Sequence, residues 1–365
     1  MGIPLVQQAR VGAYLVKQHL LRRERYPLVL MLEPLLQCNL ACAGCGKIAH
    51  PPQVLKQRMT VETALRAVDE CGAPVVSIAG GEPLIHQEMP EMVRAILQRK
   101  RFVYLCTNAM LLHKKIDDYE PNPSFTFSIH LDGNRERHDA SVRHVGAHDR
   151  TVANIRLAVE RGFRVTINTT LYAGEDPDEV AEFFDEVMSL GVEGITLSPG
   201  FSYERAPGQG RFLSRRASKE LFRGIFRHWK ARGLSWTFNQ SSLFLDFLAG
   251  NRDYRCTAWS NPTYSIFGWQ RPCYLLDDGG YVPTFAELME TTPWDAYGTG
   301  RNPRCDNCMA HCGYEGTAVR DTFRRPLEAL AVARRGPDTE RPMVPEPAVE
   351  YTERPPTRLP VRLAG

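Results

Sequence analysis

The chain has 365 residues, 43% of them apolar, enough to bury one large α/β core or two smaller ones. Lys and Arg number 45 against 42 Asp and Glu, a net charge of +3, so no global field recruits nucleic acid. Ten cysteines with no signal-peptide pattern argue for a reducing cytoplasm over a disulfide framework, and no stretch approaches the length of a membrane span.

In residues 1–25, Leu5, Val6, Val11, Tyr14, Leu15, Val16, Leu20 and Leu21 alternate with Arg10, Lys17, Arg22, Arg23 and Arg25. This is the pattern of a basic amphipathic helix. It suits peripheral attachment to the anionic inner face of a membrane, and equally a helix packed on its own domain. The apolar run 27–36 then reads as a buried strand, and it empties into Cys38, Cys42 and Cys45. Three thiolates at this spacing suit three corners of a cubane iron–sulfur cluster whose fourth iron stays open to a substrate. Zinc is the alternative, with His50 the nearby fourth ligand.

Short β-branched runs follow at 75–79, 102–106, 124–131, 164–170 and 194–198, separated by helical patterns that open on caps such as Thr60 and Asp176-Pro177. Alternation of strand and helix demands parallel pairing through right-handed crossovers. Six such units form a partial (β/α) barrel or a doubly wound sheet, and in both the reactive groups belong at the carboxyl ends of the strands. Polar residues gather there: Gly80-Gly81-Glu82-Pro83, Cys106-Thr107-Asn108, Ser128 through Gly133, and Asn168-Thr169-Thr170.

The Cys-x3-Cys-x2-Cys loop and the Gly-Gly-Glu-Pro segment together resemble the radical S-adenosylmethionine (SAM) superfamily, over about residues 26 to 200. That resemblance implies a partial (β/α)6 TIM-like barrel, with a [4Fe–4S] cluster on Cys38, Cys42 and Cys45 whose open iron chelates the methionine moiety of SAM. It implies that Gly80, Gly81, Glu82 and Pro83 receive the methionine amino group, and that Asn108, Ser128, Asn168 and Arg143 contact the carboxylate or ribose. Two positions depart from the superfamily pattern. The usual aromatic residue before the third cysteine is Gly44, so another group must cover the adenine, and the third strand ends Thr107-Asn108-Ala109 where Thr-Asn-Gly is usual.

A narrower resemblance runs through residues 42–48, 261–263, 268–274 and 307–315, and is to the adenosylhopane synthases (adenosyl-hopene transferases) of hopanoid biosynthesis. It implies addition of the 5′-deoxyadenosyl radical to the alkene of diploptene, with electrons from a donor such as flavodoxin or ferredoxin. The tertiary radical so formed needs a hydrogen atom, and Cys106 is the candidate donor. A broad apolar cavity is expected for the hydrocarbon, with Phe201, Tyr203, Trp236, Phe238, Phe244, Trp259, Phe267 and Trp269 as aromatic candidates.

After residue 200 the alternation fades, and a helix over 214–232 completes a core spanning 26–235. The region 236–336 carries Cys256, Cys273, Cys305, Cys308 and Cys312, the makings of a second metal site for iron–sulfur or zinc, with His311 a further ligand candidate. Residues 337–365, rich in proline and charge, read as a disordered tail. Two other functions stay open: a radical SAM enzyme that modifies a peptide or cofactor by hydrogen abstraction, and a metal-stabilised binding protein.

Overall fold

The computed structural model describes residues 2–201, 206–276 and 279–347. Its centre is a nine-stranded sheet in the order β6-β5-β4-β3-β2-β1-β7-β8-β9. The six expected strands are β1 (Val29–Glu33), β2 (Val75–Ile78), β3 (Phe102–Thr107), β4 (Phe125–His130), β5 (Arg164–Leu171) and β6 (Gly194–Pro199), all parallel to their neighbours. The strands of the alternating region follow one another in chain order and the sheet stays open, so of the two architectures the alternation allowed, the structure is the partial barrel.

The strands alternate cleanly. Leu30, Leu32, Val76, Ile78, Val103, Leu105, Phe127, Ile129 and Ile167 are buried beneath the crossover helices. Residues of the opposite parity line the concave face. Register pairs Cys106 with Ser128, Ser128 with Thr166, and Asn168 with Thr196, so these side chains form tiers in the lumen.

The helices start where short polar side chains accept from the exposed N–H groups of a first turn. Thr60 caps one over Val61–Cys71, Asp176 one over Pro177–Ser189, and Ser214 one over Arg215–Ala231. A pair over Arg135–Val142 and Ala147–Glu160 connects β4 to β5. A further strand, β7 (Thr263–Ser265), comes from the C-terminal region and pairs in parallel with β1, continuing through the antiparallel β8 (Gly268–Gln270) and β9 (Tyr281–Val282). The C-terminal region thus extends the sheet on its β1 edge, while its Phe238 bridges to Ile195 of β6 on the other edge.

The N-terminal helix, α1 (Leu5–Leu20), divides its apolar residues between two faces, with Val11, Tyr14 and Leu15 packed on Tyr26 and Leu28. Gln7, Leu15 and Gln18 are buried, whereas Leu5, Val6, Val16, Leu20 and Leu21 are exposed. The cause is the polar floor of the barrel: the Tyr104 hydroxyl of β3 donates to Gln7 Oε1 at 3.1 Å, and the Tyr14 hydroxyl donates to the Pro27 carbonyl at 2.7 Å. The helix therefore packs on its own domain and still presents an apolar outer face.

The expectation of disorder from residue 337 onward is corrected over 337–347. Helix Arg215–Ala231 buries Lys219 and Arg223, and buried cations require partners. Glu346 pairs with Lys219, the carbonyls of Thr339 and Arg341 accept from Arg223, and the Val344 N–H donates to Gly250. The rest of that tail, 348–365, lies outside the described residues.

Candidate active site

The triad loop leaves β1 and folds back over the strand ends. The Leu40 N–H donates to Cys38 Sγ and the Lys47 N–H to Cys45 Sγ, both at 3.4 Å, and Asn108 Nδ2 lies 3.7 Å from Cys38 Sγ. Such bonds delocalise charge from thiolate sulfur. Burial pushes the Cys38 thiol up to about 11, and burial and the neighbouring sulfurs push Cys42 up as well. Three thiols crowded this way ionise together only when a metal centre takes up their charge, so the donor set fits a cluster.

Two glycines make the loop's position attainable. A Cβ on Gly80, whose φ is +103°, would lie 2.3 Å from the Leu35 carbonyl oxygen, and one on Gly81 would lie 2.0 Å from that of Gln37. The Gly81 and Glu82 N–H groups donate to those same two carbonyls at 2.9 and 2.8 Å. The glycines therefore bring two stretches of backbone together. Glu82, expected to face the methionine ammonium, is instead 1% exposed. Its carboxylate accepts from Leu84 N–H (3.0 Å), the Thr107 hydroxyl (2.7 Å) and Asn108 N–H (2.8 Å). It is a positioning residue that ties the end of β2 to the end of β3, while Pro83 opens the short 3-10 turn Pro83–Ile85 behind it. Ala109 occupies left-handed space at φ +58°, the conformation for which glycine is usual there, and Asn154 Nδ2 holds its carbonyl at 2.7 Å.

Cys106 lies on the lumen face, 3.3 Å from Ser77 Oγ and in register with Ser128. Asn168 Oδ1 is buried without a hydrogen-bond partner, an acceptor aimed into the lumen. Arg143 closes the helix Arg135–Val142 at φ +56° and is exposed, two residues after Ser141, whose carbonyl accepts from the Ala43 N–H of the triad loop. Ser141 Oγ also donates to Asp132, a buried carboxylate paired with His130 at 3.0 Å.

Gly44 explains one absence in the sequence and reveals a residue that sequence reasoning passed over. A Cβ on Gly44 would lie 2.1 Å from the hydroxyl oxygen of Tyr172, and one on Gly200 would lie 2.6 Å from the same ring. Tyr172 follows β5 and fills the space beside the third cysteine. Arg211 lies 5.3 Å over its ring and Phe212 packs 6.1 Å away. The signal was the missing aromatic at position 44; its replacement is distant in sequence. Lys47 and Glu33, paired at 2.8 Å at the mouth, were also passed over.

The aromatic candidates for a hydrocarbon cavity mostly turn out to be core. Trp236, Phe238, Phe244, Trp259 and Trp269 are buried, and Tyr203 lies outside the described residues. Phe201 and Phe267 are half-buried.

Residues 32–187 match the model of the radical SAM superfamily, and residues 195–332 match a domain of unknown function, DUF3463. Over that first segment the chain is similar to the radical SAM superfamily, a likeness that implies a [4Fe–4S] cluster and SAM. Among curated relatives, it is 28% identical over 184 residues to GTP 3′,8-cyclase of Clostridium perfringens (strain SM101 / Type A), covering 44% of this chain and 57% of that protein. It is 30% identical over 171 residues to AdoMet-dependent heme synthase of Methanosarcina barkeri (strain Fusaro / DSM 804), covering 46% and 48%. The chain spans about half the length of the curated relatives it matches. Its fold resembles Streptococcus suis SuiB, with a TM-score of 0.61 at 17% identity over 85% of this chain and 76% of that one. It also resembles anSMEcpe with bound AdoMet, with a TM-score of 0.56 at 16% identity over 84% and 99%.

The buried His130–Asp132 pair makes stability depend on pH. Burial lowers the His130 pKa, but the Asp132 charge and hydrogen bond raise it overall; burial raises Asp132, but His130, Ser141 and Thr170 hold it below its ordinary value. The pair contributes fully between the unfolded values of Asp and His, about 3.9 and 6.5. Its contribution is lost as pH falls through the lowered Asp132 pKa and as pH rises through the raised His130 pKa. The denaturant midpoint of the wild type should therefore fall from pH 6 to pH 9 more steeply than that of His130→Gln; equal slopes would remove the pair from this role.

Proposed function

We propose that this chain joins a 5′-deoxyadenosyl group to the alkene of a polycyclic hydrocarbon, diploptene, and reduces the resulting tertiary carbon radical with Cys106. The observation that carries this reading is a thiol in the lumen, one residue before the Thr107-Asn108 step that touches the triad loop. The curated relatives are named for cyclase and heme-synthase reactions, so hopanoid chemistry rests on the sequence resemblance and on this site.

When bound to Cys38, Cys42 and Cys45, the cluster together with SAM supplies the deoxyadenosyl radical. Everything else belongs to the chain. The polar tiers of Ser128, Thr166 and Asn168 suit a nucleoside and an amino acid, with Arg143 at the rim for the carboxylate. The Tyr172 ring, standing where the motif's own aromatic is missing, covers the adenine. Half-buried Ile266, Phe267 and Tyr274 beside β7 give the hydrocarbon an apolar lip outside the polar lumen. Burial raises the Cys106 pKa and keeps its proton in place, which matters because a thiolate has no hydrogen atom to give. The Sγ–H bond breaks as the new C–H bond forms, and a one-electron donor of the flavodoxin or ferredoxin type with one proton restores the thiol.

No described helix is long and apolar enough to cross a membrane. A lipid substrate nevertheless suits the outer face of α1. Its exposed Leu5, Val16 and Leu20 are continued by Phe323, Leu327 and Leu330 of the C-terminal helices, with Phe323 against Gly12. Arg10, Lys17, Arg22, Arg23 and Arg324 surround them, a charge pattern complementary to an anionic bilayer surface.

Cys106→Ala should lower the yield of saturated adduct on the order of tenfold or scramble its new stereocentre, read by mass analysis of the lipid extract. Normal yield and stereochemistry would exclude the donor role, and accumulation of free 5′-deoxyadenosine without an adduct would favour hydrogen abstraction. Tyr172→Ala should weaken SAM binding by about 1 kcal/mol, roughly fivefold. Adding Gly44→Phe to Tyr172→Ala should recover it, and calorimetry showing neither effect would sink the assignment. Leu20→Asp with Leu327→Asp should abolish co-sedimentation with phosphatidylserine vesicles; a wild type that stays in the supernatant refutes membrane docking.

A further inference from the structure

The open side of the barrel is crossed by a helix of the C-terminal region, His311–Arg324. At its start, His311 Nδ1 lies 3.2 Å from the Ser198 hydroxyl of β6. Further along, a Cβ on Gly316 would lie 2.1 Å from Ser260 Oγ, just ahead of β7, and Val319 joins Leu15, Tyr26 and Leu28 at the floor. His311, Glu315 and Val319 recur every four residues and so share one face of the helix. Ser198 is in register with Thr170, and Thr196 with Asn168, so Ser198 has the parity of the concave face. Both ends of the helix face thus meet the inside of the barrel, and Glu315 between them faces the lumen.

Glu315 arrives there with one carboxylate oxygen unused. Its Oε1 accepts from the Ser241 N–H at 2.8 Å, whereas Oε2 is buried without a hydrogen-bond partner. Burial pushes the carboxyl up to about 7. On the sheet, Asn168 Oδ1 is another buried acceptor with no partner. An acceptor left open in this way is costly, and a ligand that brings O–H or N–H groups removes the cost. A hydrocarbon brings none. SAM brings three kinds: a ribose diol, an adenine amine and an ammonium.

The neighbours of Glu315 choose among them. Ser198 lies two residues before Gly200, where a Cβ would come within 2.6 Å of the Tyr172 ring. With the adenine under Tyr172, the sugar bonded to it falls beside Ser198, and therefore against His311 and Glu315. The ammonium goes with the methionine end to the triad loop, and the adenine amine lies on the edge of the base remote from the sugar. We propose that Glu315 binds the ribose diol of SAM, its Oε2 accepting from a ribose hydroxyl while His311 holds the Ser198 hydroxyl beside it, an assignment that rests on the SAM-dependent reading of this site. The segment 195–332, matched only to a domain of unknown function, then supplies part of the nucleoside site of the segment 32–187. The bond from Ser241 fixes the carboxylate and leaves its second oxygen for the ligand. A sugar held at its diol has its C5′ atom aimed, which positions the group to be transferred.

The test is calorimetric and needs no turnover. The full chain, its cluster reconstituted anaerobically, is titrated with SAM and with the 2′-deoxy and 3′-deoxy analogues of SAM. The wild type should bind at least one analogue roughly tenfold more weakly than SAM. In Glu315→Ala that difference should vanish, with SAM itself bound about as weakly as the analogue. Should Glu315→Ala fail to fold, Glu315→Gln, which keeps the shape and loses the charge, decides by the same comparison, and the difference should shrink. A wild type that binds SAM and both analogues alike, or a folded variant that separates them as the wild type does, overturns the assignment. Absence of any SAM binding to the wild type would bring down the SAM-dependent reading along with it, so the two failures are told apart.

Discussion

One buried carboxylate organises the catalytic face. Glu82 is desolvated, which raises its pKa, yet its three hydrogen bonds with Leu84, Thr107 and Asn108 tie the loop after β2 to the end of β3. Asn108 in turn reaches Asn39 and Cys38, so the triad loop is fixed to the sheet through that carboxylate. The glycines ahead of it let the β2 loop press directly on the backbone of residues 35–37. The triad cysteines, the lumen thiol and the polar strand ends thus share one hydrogen-bonded frame, the kind of fixed geometry that the proposed chemistry would need.

The sheet divides its labour by parity. Its convex face is aliphatic and aromatic because helices cover it, whereas its concave face carries hydroxyls, amides and a thiol. Asn168 Oδ1 and the Thr126 and Thr166 hydroxyls on that face are buried without a hydrogen-bond partner. The same polarity continues to the floor of the barrel, where Gln7 of α1 meets Tyr104, while Leu15 packs beside it on Tyr26 and Leu28. The C-terminal region then wraps both edges of the sheet, contributing β7 at one side and Phe238 at the other. It also gathers Cys256, Cys273, Cys305, Cys308 and Cys312 around one cavity.

The sequence by itself determined the alternation of strands and helices, because burial of one face imposes period two on a strand and capping chemistry marks a helix start within a residue. Thr60 and Asp176 cap where the pattern placed them, and the helix expected over 214–232 runs from Arg215 to Ala231. It also located the triad loop, whose ligands lie within eight residues of one another and need no tertiary information to be recognised. Only the tertiary structure decided contacts between distant segments. Tyr172 takes the place left by Gly44, Glu82 turns into the protein, β7 joins β1 across more than half of the chain, and residues 337–347 pair with buried cations. Periodicity records which face of an element is covered and not what covers it, and the partner of a buried charge or a missing ring is set by packing in three dimensions.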